Sequence, residues 1–139
     1  MNRWAYCKEC GKVFETEHIH MQFEYGDGKC PTEGCKGNAF GIDENMIIPI
    51  MLLNKKGYDT KWTCSGHVFE PIQDAYIVFA SDKSFPDTLP VGWYKDDECQ
   101  NCIRVKNSGR KVNPVLRQMV ILKNMENLLE WAVALPNNP

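Results

Sequence analysis

The residues of this sequence whose types and spacing could do chemistry are mainly cysteines. The chain has 139 residues and seven cysteines. Six of them stand in close pairs: Cys7 and Cys10, Cys30 and Cys35, Cys99 and Cys102. In a reducing compartment, close pairs of thiols indicate metal binding before they indicate disulfides. The sequence therefore predicts a metal-binding protein, with Zn²⁺ as the expected ion.

The first two pairs predict one zinc site. Two residues separate Cys7 from Cys10, and Gly11 follows, a spacing typical of turns that offer two thiolates to one zinc ion. Cys30 and Cys35 form a second, wider arm. Four protein ligands leave no open position for water, so we expect this zinc to be structural. The alternative is a disulfide or a redox pair.

A second set of metal-binding residues lies further along the chain. Cys64 and His67 form a C-x2-H pair, and Cys99 and Cys102 form a C-x2-C pair. Together these four side chains could form a Cys3His zinc site if the fold brings them together. Two alternatives stay open. The residues could be structural or exposed, or Cys64 or His67 could be catalytic in the glycine-containing turn that follows a strand.

The composition of the chain indicates two parts. Residues 1–41 contain too few aliphatic side chains to form a core without a metal, and the composition changes at Ile42. We therefore predict an α+β protein with a zinc ribbon over residues 1–41. A small α/β domain over residues 42–139 should follow, with a mixed sheet and two main helices.

Local signals place the elements of the second part. The sequence predicts a helix that begins near Ile47 and ends before Gly57, and a central strand over residues 75–80. Asn113 and Pro114 predict the start of a long helix that Pro136 ends. Its apolar residues recur at helical spacing, which favours a core helix, with a partner-binding helix as the alternative. These residues are Val115, Leu116, Met119, Val120, Leu122, Met125, Leu128, Leu129, Ala132 and Val133.

One segment carries a resemblance to a known family. Residues 53–67, Leu-Asn-Lys-Lys-Gly-Tyr-Asp-Thr-Lys-Trp-Thr-Cys-Ser-Gly-His, precede the strand at 75–80. This arrangement resembles the helix, strand and turn of the tRNA wybutosine-synthesising methyltransferase family. The resemblance implies a site for S-adenosylmethionine and tRNA at Thr63, Cys64, Ser65 and Gly66. The whole chain resembles bacterial or phage proteins with a zinc ribbon before a small domain, which implies no particular function.

The net charge and hydropathy of the chain limit the kinds of partner that we expect it to bind. The net charge is −2, and no apolar run approaches the roughly 20 residues of a membrane helix. The N-terminal residues do not form a secretory signal, so we expect a cytoplasmic protein. Residues 104–123 carry six basic side chains and no acidic one. That basic stretch could contact nucleic acid or protein, or could be a solvated loop and helix face.

Two functions follow from these observations. The first is a non-enzymatic zinc-binding module that contacts nucleic acid or protein through the ribbon and the basic 104–123 stretch. The second is an RNA-modifying enzyme that uses S-adenosylmethionine at a site around Cys64 and His67.

Overall fold

The computed structural model describes residues 3–16, 27–66, 74–107 and 113–139. The chain divides into two compact units, Met1–Ile47 and Ile48–Pro139, called here the N-terminal and the C-terminal unit. Each has its own sheet. Neither of the described helices combines the length and the apolar character needed to cross a membrane.

The N-terminal unit contains a four-stranded antiparallel sheet. Its strands are β1 (Trp4–Tyr6), β2 (Val13–Glu15), β3 (Asp27–Lys29) and β4 (Asn38–Ile42), in the order β2-β1-β4-β3. Its buried cluster consists of two alanines and two cysteines, with Phe14, Cys10 and Cys35 packed against it. Such small side chains remove little apolar surface from water. Beyond this cluster, the larger apolar side chains that the described part of the unit buries are Tyr6, Ile42 and Met46, so its apolar core is small.

The C-terminal unit contains a second antiparallel sheet and most of the helical structure. Helix α1 (Ile47–Lys55) precedes β5 (Thr60–Cys64), β6 (Ala75–Phe79), β7 (Tyr94–Lys95) and β8 (Cys102–Val105), and helix α2 (Pro114–Ala134) follows. The strand order is β5-β6-β8-β7. Strand β6 pairs on both sides and is central, as predicted. The α+β class and the two main helices are likewise confirmed.

The prediction of a mixed sheet is wrong, because every described strand pair is antiparallel. Parallel neighbours need a long crossover, usually a helix, between the two strands. Here α1 precedes all four strands of the C-terminal sheet and α2 follows them. In the described part of the chain, no α-helix lies between two strands of this sheet to carry the chain from one end of it back to the other.

Both helices begin and end where local signals predict. Gly57 follows α1 with a φ of 93°, a left-handed conformation that favours glycine at a helix C-terminus. At the start of α2, the Asn113 side-chain oxygen accepts a hydrogen bond of 2.9 Å from the Leu116 amide. Pro114 is the first residue of the helix and has no amide that would need a partner.

The apolar residues of α2 lie on two faces of the helix. One face is buried and contains Arg117, Ile121, Asn124, Met125, Leu128 and Ala132. Most of the other apolar residues are exposed: Val115, Leu116, Met119, Leu122, Leu129 and Val133. The predicted core helix is therefore confirmed for one face, while six of the ten apolar residues lie outside the core. Ten such positions cover more of the helix surface than one packed face can bury.

Candidate metal centre

Four cysteine sulfurs of the N-terminal unit meet at one point. Cys7 directly follows β1, Cys30 directly follows β3, and Cys10 and Cys35 lie in the adjoining turns. Strands β1 and β3 both pair with β4, which brings the two arms together. All four sulfurs lie within 4.8 Å of one another. These four cysteines could therefore hold a metal ion.

The distances between the sulfurs fit a tetrahedral ion. The Cys7 and Cys35 sulfurs are 3.8 Å apart, and the Cys10 and Cys30 sulfurs are 3.7 Å apart. Four thiolates at the zinc–sulfur bond length of about 2.3 Å stand about 3.8 Å from one another in a tetrahedron. A disulfide would need about 2.05 Å. The spacing therefore matches a shared ion and excludes covalent pairing in this arrangement.

Backbone amides point at the sulfurs. The Cys10 amide donates to the Cys7 sulfur, and the Lys12 amide donates to the Cys10 sulfur. In the second arm the Gly37 amide donates to the Cys35 sulfur at 3.4 Å. Hydrogen bonds of this kind stabilise a thiolate and orient it toward an ion. The loops are thus built to carry negative charge on sulfur.

The thiols of the first arm differ in acidity. The Lys12 amide is the largest cause of a pKa of about 6 for Cys10, well below the usual value for a thiol. Burial is the largest cause of a pKa of about 12 for Cys7. The pKa of Cys10 thus favours its thiolate near neutral pH. Cys7 must release its proton as the ion binds.

Two glycines shape the loops. Gly11, which the sequence indicates, adopts a φ of 75° directly after Cys10. Gly37 was missed. A Cβ added there would lie 2.7 Å from the Glu9 Cβ and 3.2 Å from the Cys7 sulfur. The available signal was its place two residues after Cys35, which mirrors that of Lys12 after Cys10.

The second predicted set does not assemble within the described residues. Cys64 pairs with Tyr76, and Cys102 pairs with Val78 on the other side of β6. Cys64 and Cys102 are therefore two strands apart across the sheet and two residues apart along it. At this offset their Cα atoms are about 12 Å apart. Among the described residues, only Cys7, Cys10, Cys30 and Cys35 form a group of three or more metal-binding side chains. His67 lies outside the described residues.

Cys99 and Cys102 are neighbours at the start of β8. The two thiols interact, and Cys102 is fully buried. Burial, followed by the charge of Cys99, raises the pKa of Cys102 to about 12. The Cys102 thiol therefore stays protonated near neutral pH.

The turn after β5 belongs to a buried hydrogen-bond network. Cys64 and Ser65 are both buried. The Asn107 side-chain amide donates to the Ser65 carbonyl at 2.9 Å, and the Asn124 amide donates to the Asn107 side-chain oxygen at 2.9 Å. These contacts tie the turn to α2 and account for its polar residues. A methyltransferase site around Cys64 and His67 stays a prediction.

The basic 104–123 stretch is dispersed in the structure. Arg104 forms an ion pair with Asp96, Arg117 is buried, and Lys123 pairs with Glu126 at 3.6 Å. Lys106 is exposed, and Arg110 and Lys111 lie outside the described residues. The described side chains of this stretch thus form no continuous cationic surface.

Fold and site together define an α+β protein whose N-terminal unit contains a cluster of four cysteines that could hold a metal ion. Comparison of the chain with models of known protein families, with curated proteins and with solved structures finds no match.

Proposed function

We propose that the N-terminal unit is a zinc ribbon in which Cys7, Cys10, Cys30 and Cys35 bind one structural Zn²⁺. The observation that carries the proposal is the sulfur spacing of 3.7 and 3.8 Å. Four thiolates in a tetrahedron suit zinc, with iron as the competing ion. The four ligands close the coordination shell, so the ion serves the fold and not a reaction.

The ion would supply the stability that the small core lacks. The buried cluster of this unit contains only alanine and cysteine side chains. Binding of a structural zinc ion contributes about 10 kcal/mol or more to the folding of comparable small modules. The cation also offsets the cost of burying thiolates, which is otherwise largest at Cys7. Folding and metal binding are therefore one event in this unit.

The role we propose for the ribbon is to bind single-stranded nucleic acid. Beside the metal centre lies a groove of about 390 Å³, lined by Lys8, Glu9, Lys36, Gly37, Asn38 and Phe40. The two lysines would contact phosphates, and the half-buried Phe40 ring offers an apolar surface to a base. A protein partner is the competing outcome.

Metal analysis tests the ribbon. Protein purified without added metal should contain one zinc per chain, as measured by elemental analysis. Cys30→Ser should lose that zinc, while the matched control Cys99→Ser should keep it. Iron in place of zinc would overturn the choice of ion, and zinc retained in Cys30→Ser would overturn the site. Two zinc ions that fall to one in Cys99→Ser would establish a second site.

Fluorescence anisotropy with labelled single-stranded RNA and DNA tests the partner. The zinc-loaded protein should bind at low salt, and the affinity should fall as salt rises. Lys36→Ala should weaken binding several-fold, while the control Lys61→Ala, on β5, should leave it unchanged. If the wild-type protein does not bind at low salt, the nucleic-acid role is wrong. The metal site is tested separately, by the elemental analysis.

A further inference from the structure

The exposed face of α2 carries a regular apolar stripe. Its members are Val115, Met119, Leu122, Leu129 and Val133, whose exposed fractions range from 37% to 71%. Glu126 occupies the one remaining position of the series. The stripe lies on a different face from the buried residues of the same helix, such as Ile121 and Leu128.

The spacing of this stripe is that of a helix-pairing seam. Successive members, Glu126 included, are four, three, four, three and four residues apart. Each position recurs after seven residues, as at Val115, Leu122 and Leu129, which is the heptad period of 3.5 residues per turn that keeps a seam facing a second helix. From Val115 to Val133 it extends about 27 Å along the axis, at 1.5 Å per residue. A contiguous exposed apolar strip of this kind marks an interaction surface.

We propose that α2 pairs with α2 of a second copy of this chain, in antiparallel orientation. The seam is symmetric about Asn124. Antiparallel pairing around that point places Val115 opposite Val133 of the second copy, and Met119 opposite Leu129. A two-fold axis generates both contacts twice, so one helix face supplies a complete, self-complementary interface.

Glu126 of the seam and the adjacent Lys123 favour the same arrangement. In a parallel pair the two Glu126 carboxylates would face each other, and like charges repel. In the antiparallel pair each Glu126 faces Leu122 of the second copy and lies beside the neighbouring Lys123. Within one helix, Lys123 and Glu126 already form an ion pair of 3.6 Å. The two pairs therefore come together at the two-fold axis as a neutral cluster.

The small size of the seam favours weak association. A strip about 27 Å long and one helix wide is smaller than a standard protein interface, which buries about 800 Å² per partner. We therefore expect a dissociation constant in the micromolar range, with monomer and dimer in exchange.

Analytical ultracentrifugation of the full-length, zinc-loaded protein tests the pairing over a range of concentrations. Glu126→Leu should tighten the dimer by about tenfold or more, because it replaces the one charged residue of the seam. The matched control Glu130→Leu adds the same side chain outside the seam and should change nothing. Leu122→Glu should leave only monomer. If Glu126→Leu stays monomeric at the highest concentration, or if Glu130→Leu tightens association equally, self-pairing is overturned.

A charge exchange tests the orientation in the Glu126→Leu background. Val115→Glu should weaken the dimer, and Val115→Glu with Val133→Lys should restore it, because residues 115 and 133 of different copies face each other. In a parallel dimer the double variant would stay weak, since identical residues would meet. That result would overturn the antiparallel arrangement, and a Glu126→Leu background that is itself monomeric would overturn self-pairing.

Discussion

Gly37 leaves no room for a side chain beside the metal centre. A Cβ at this position would lie 2.4 Å from the Glu9 Cγ and 2.7 Å from its Cβ, atoms close to the backbone of the first arm. Gly37→Ala should therefore move the amide that donates to Cys35. We expect the affinity for Zn²⁺ to fall about 10-fold to 100-fold, as for other losses of a hydrogen bond to a ligand.

Competition with a coloured zinc chelator measures this affinity. Lys36→Ala is the matched control, because Lys36 is exposed and adjacent. An unchanged affinity in Gly37→Ala would show that the two arms adjust around a methyl group, and would contradict the tight contact with Glu9.

Asp96 gives the C-terminal unit a defined pH dependence. The hydrogen bond from the Arg104 guanidinium is the largest cause that lowers its pKa, followed by the Glu98 amide. A carboxyl whose folded pKa is depressed stabilises the fold above its unfolded pKa of about 3.9. That contribution is lost as the pH falls through the folded pKa.

Carbon-detected NMR titration should follow the Asp96 carboxyl to a midpoint below that of an unperturbed aspartate. Arg104→Gln should move the midpoint back toward the usual value, while Lys95→Gln serves as the control. A normal midpoint in the wild-type protein would contradict the ion pair.

At the residue scale, the clustering of the four cysteines was predictable from the sequence, but the residues that support the cluster were not. Cys7 and Cys10 are predictable because the short turn between them fixes the distance between their sulfurs. Gly37 supports the site through contact with Glu9, which is 28 positions away in the chain. No local pattern marks such a contact. The same limit applies to Cys64 and Cys102, whose separation depends on the strand order.

At the scale of elements, Lys56 caps the end of α2. Its ammonium group donates to the carbonyls of Ala132, Val133 and Leu135 at 2.7–2.8 Å. These carbonyls have no partner within the helix, and a cation there also interacts favourably with the helix dipole. Lys56→Met should lower the free energy of unfolding by about 1–2 kcal/mol.

Urea unfolding followed by circular dichroism tests this cap. Lys55→Met is the matched control, because Lys55 is exposed at the end of α1. Equal stability of the two variants would mean that water replaces the lysine without cost.

The ends of the elements were predictable and the faces of α2 were not. Asn113 and Gly57 act within one turn of the chain, so their effect can be inferred from neighbouring residues. The spacing of apolar residues along a helix does not indicate which surface they pack against. Met125 lies in the core while Met119 is 60% exposed, although both belong to the same helical pattern. Only the packed structure separates a core face from a pairing face.

At the scale of the whole molecule, the two units differ in what stabilises them. The buried cluster of the N-terminal unit is built around cysteines. The C-terminal unit instead buries large side chains such as Ile77, Phe79 and Leu128. Large apolar side chains each contribute about 1.5–3 kcal/mol when they are fully buried. Metal binding should therefore determine the stability of the N-terminal unit. The C-terminal unit should be stable without the metal, because its own apolar core stabilises it.

Removal of the metal tests this difference. With a strong chelator, we expect the N-terminal unit to unfold and the C-terminal unit to stay folded, because zinc ligation and folding are coupled only where the core is small. The indole NMR signals report on both units, since Trp4 lies in the N-terminal unit and Trp62, Trp93 and Trp131 lie in the C-terminal unit. The Trp4 signal should move to the position of an unfolded chain while the other three keep their shifts. Added zinc should reverse the change, and Cys30→Ser should give the chelated spectrum without chelator. Loss of the Trp93 signal together with that of Trp4 would contradict the independence of the two units, because it would show that they unfold as one.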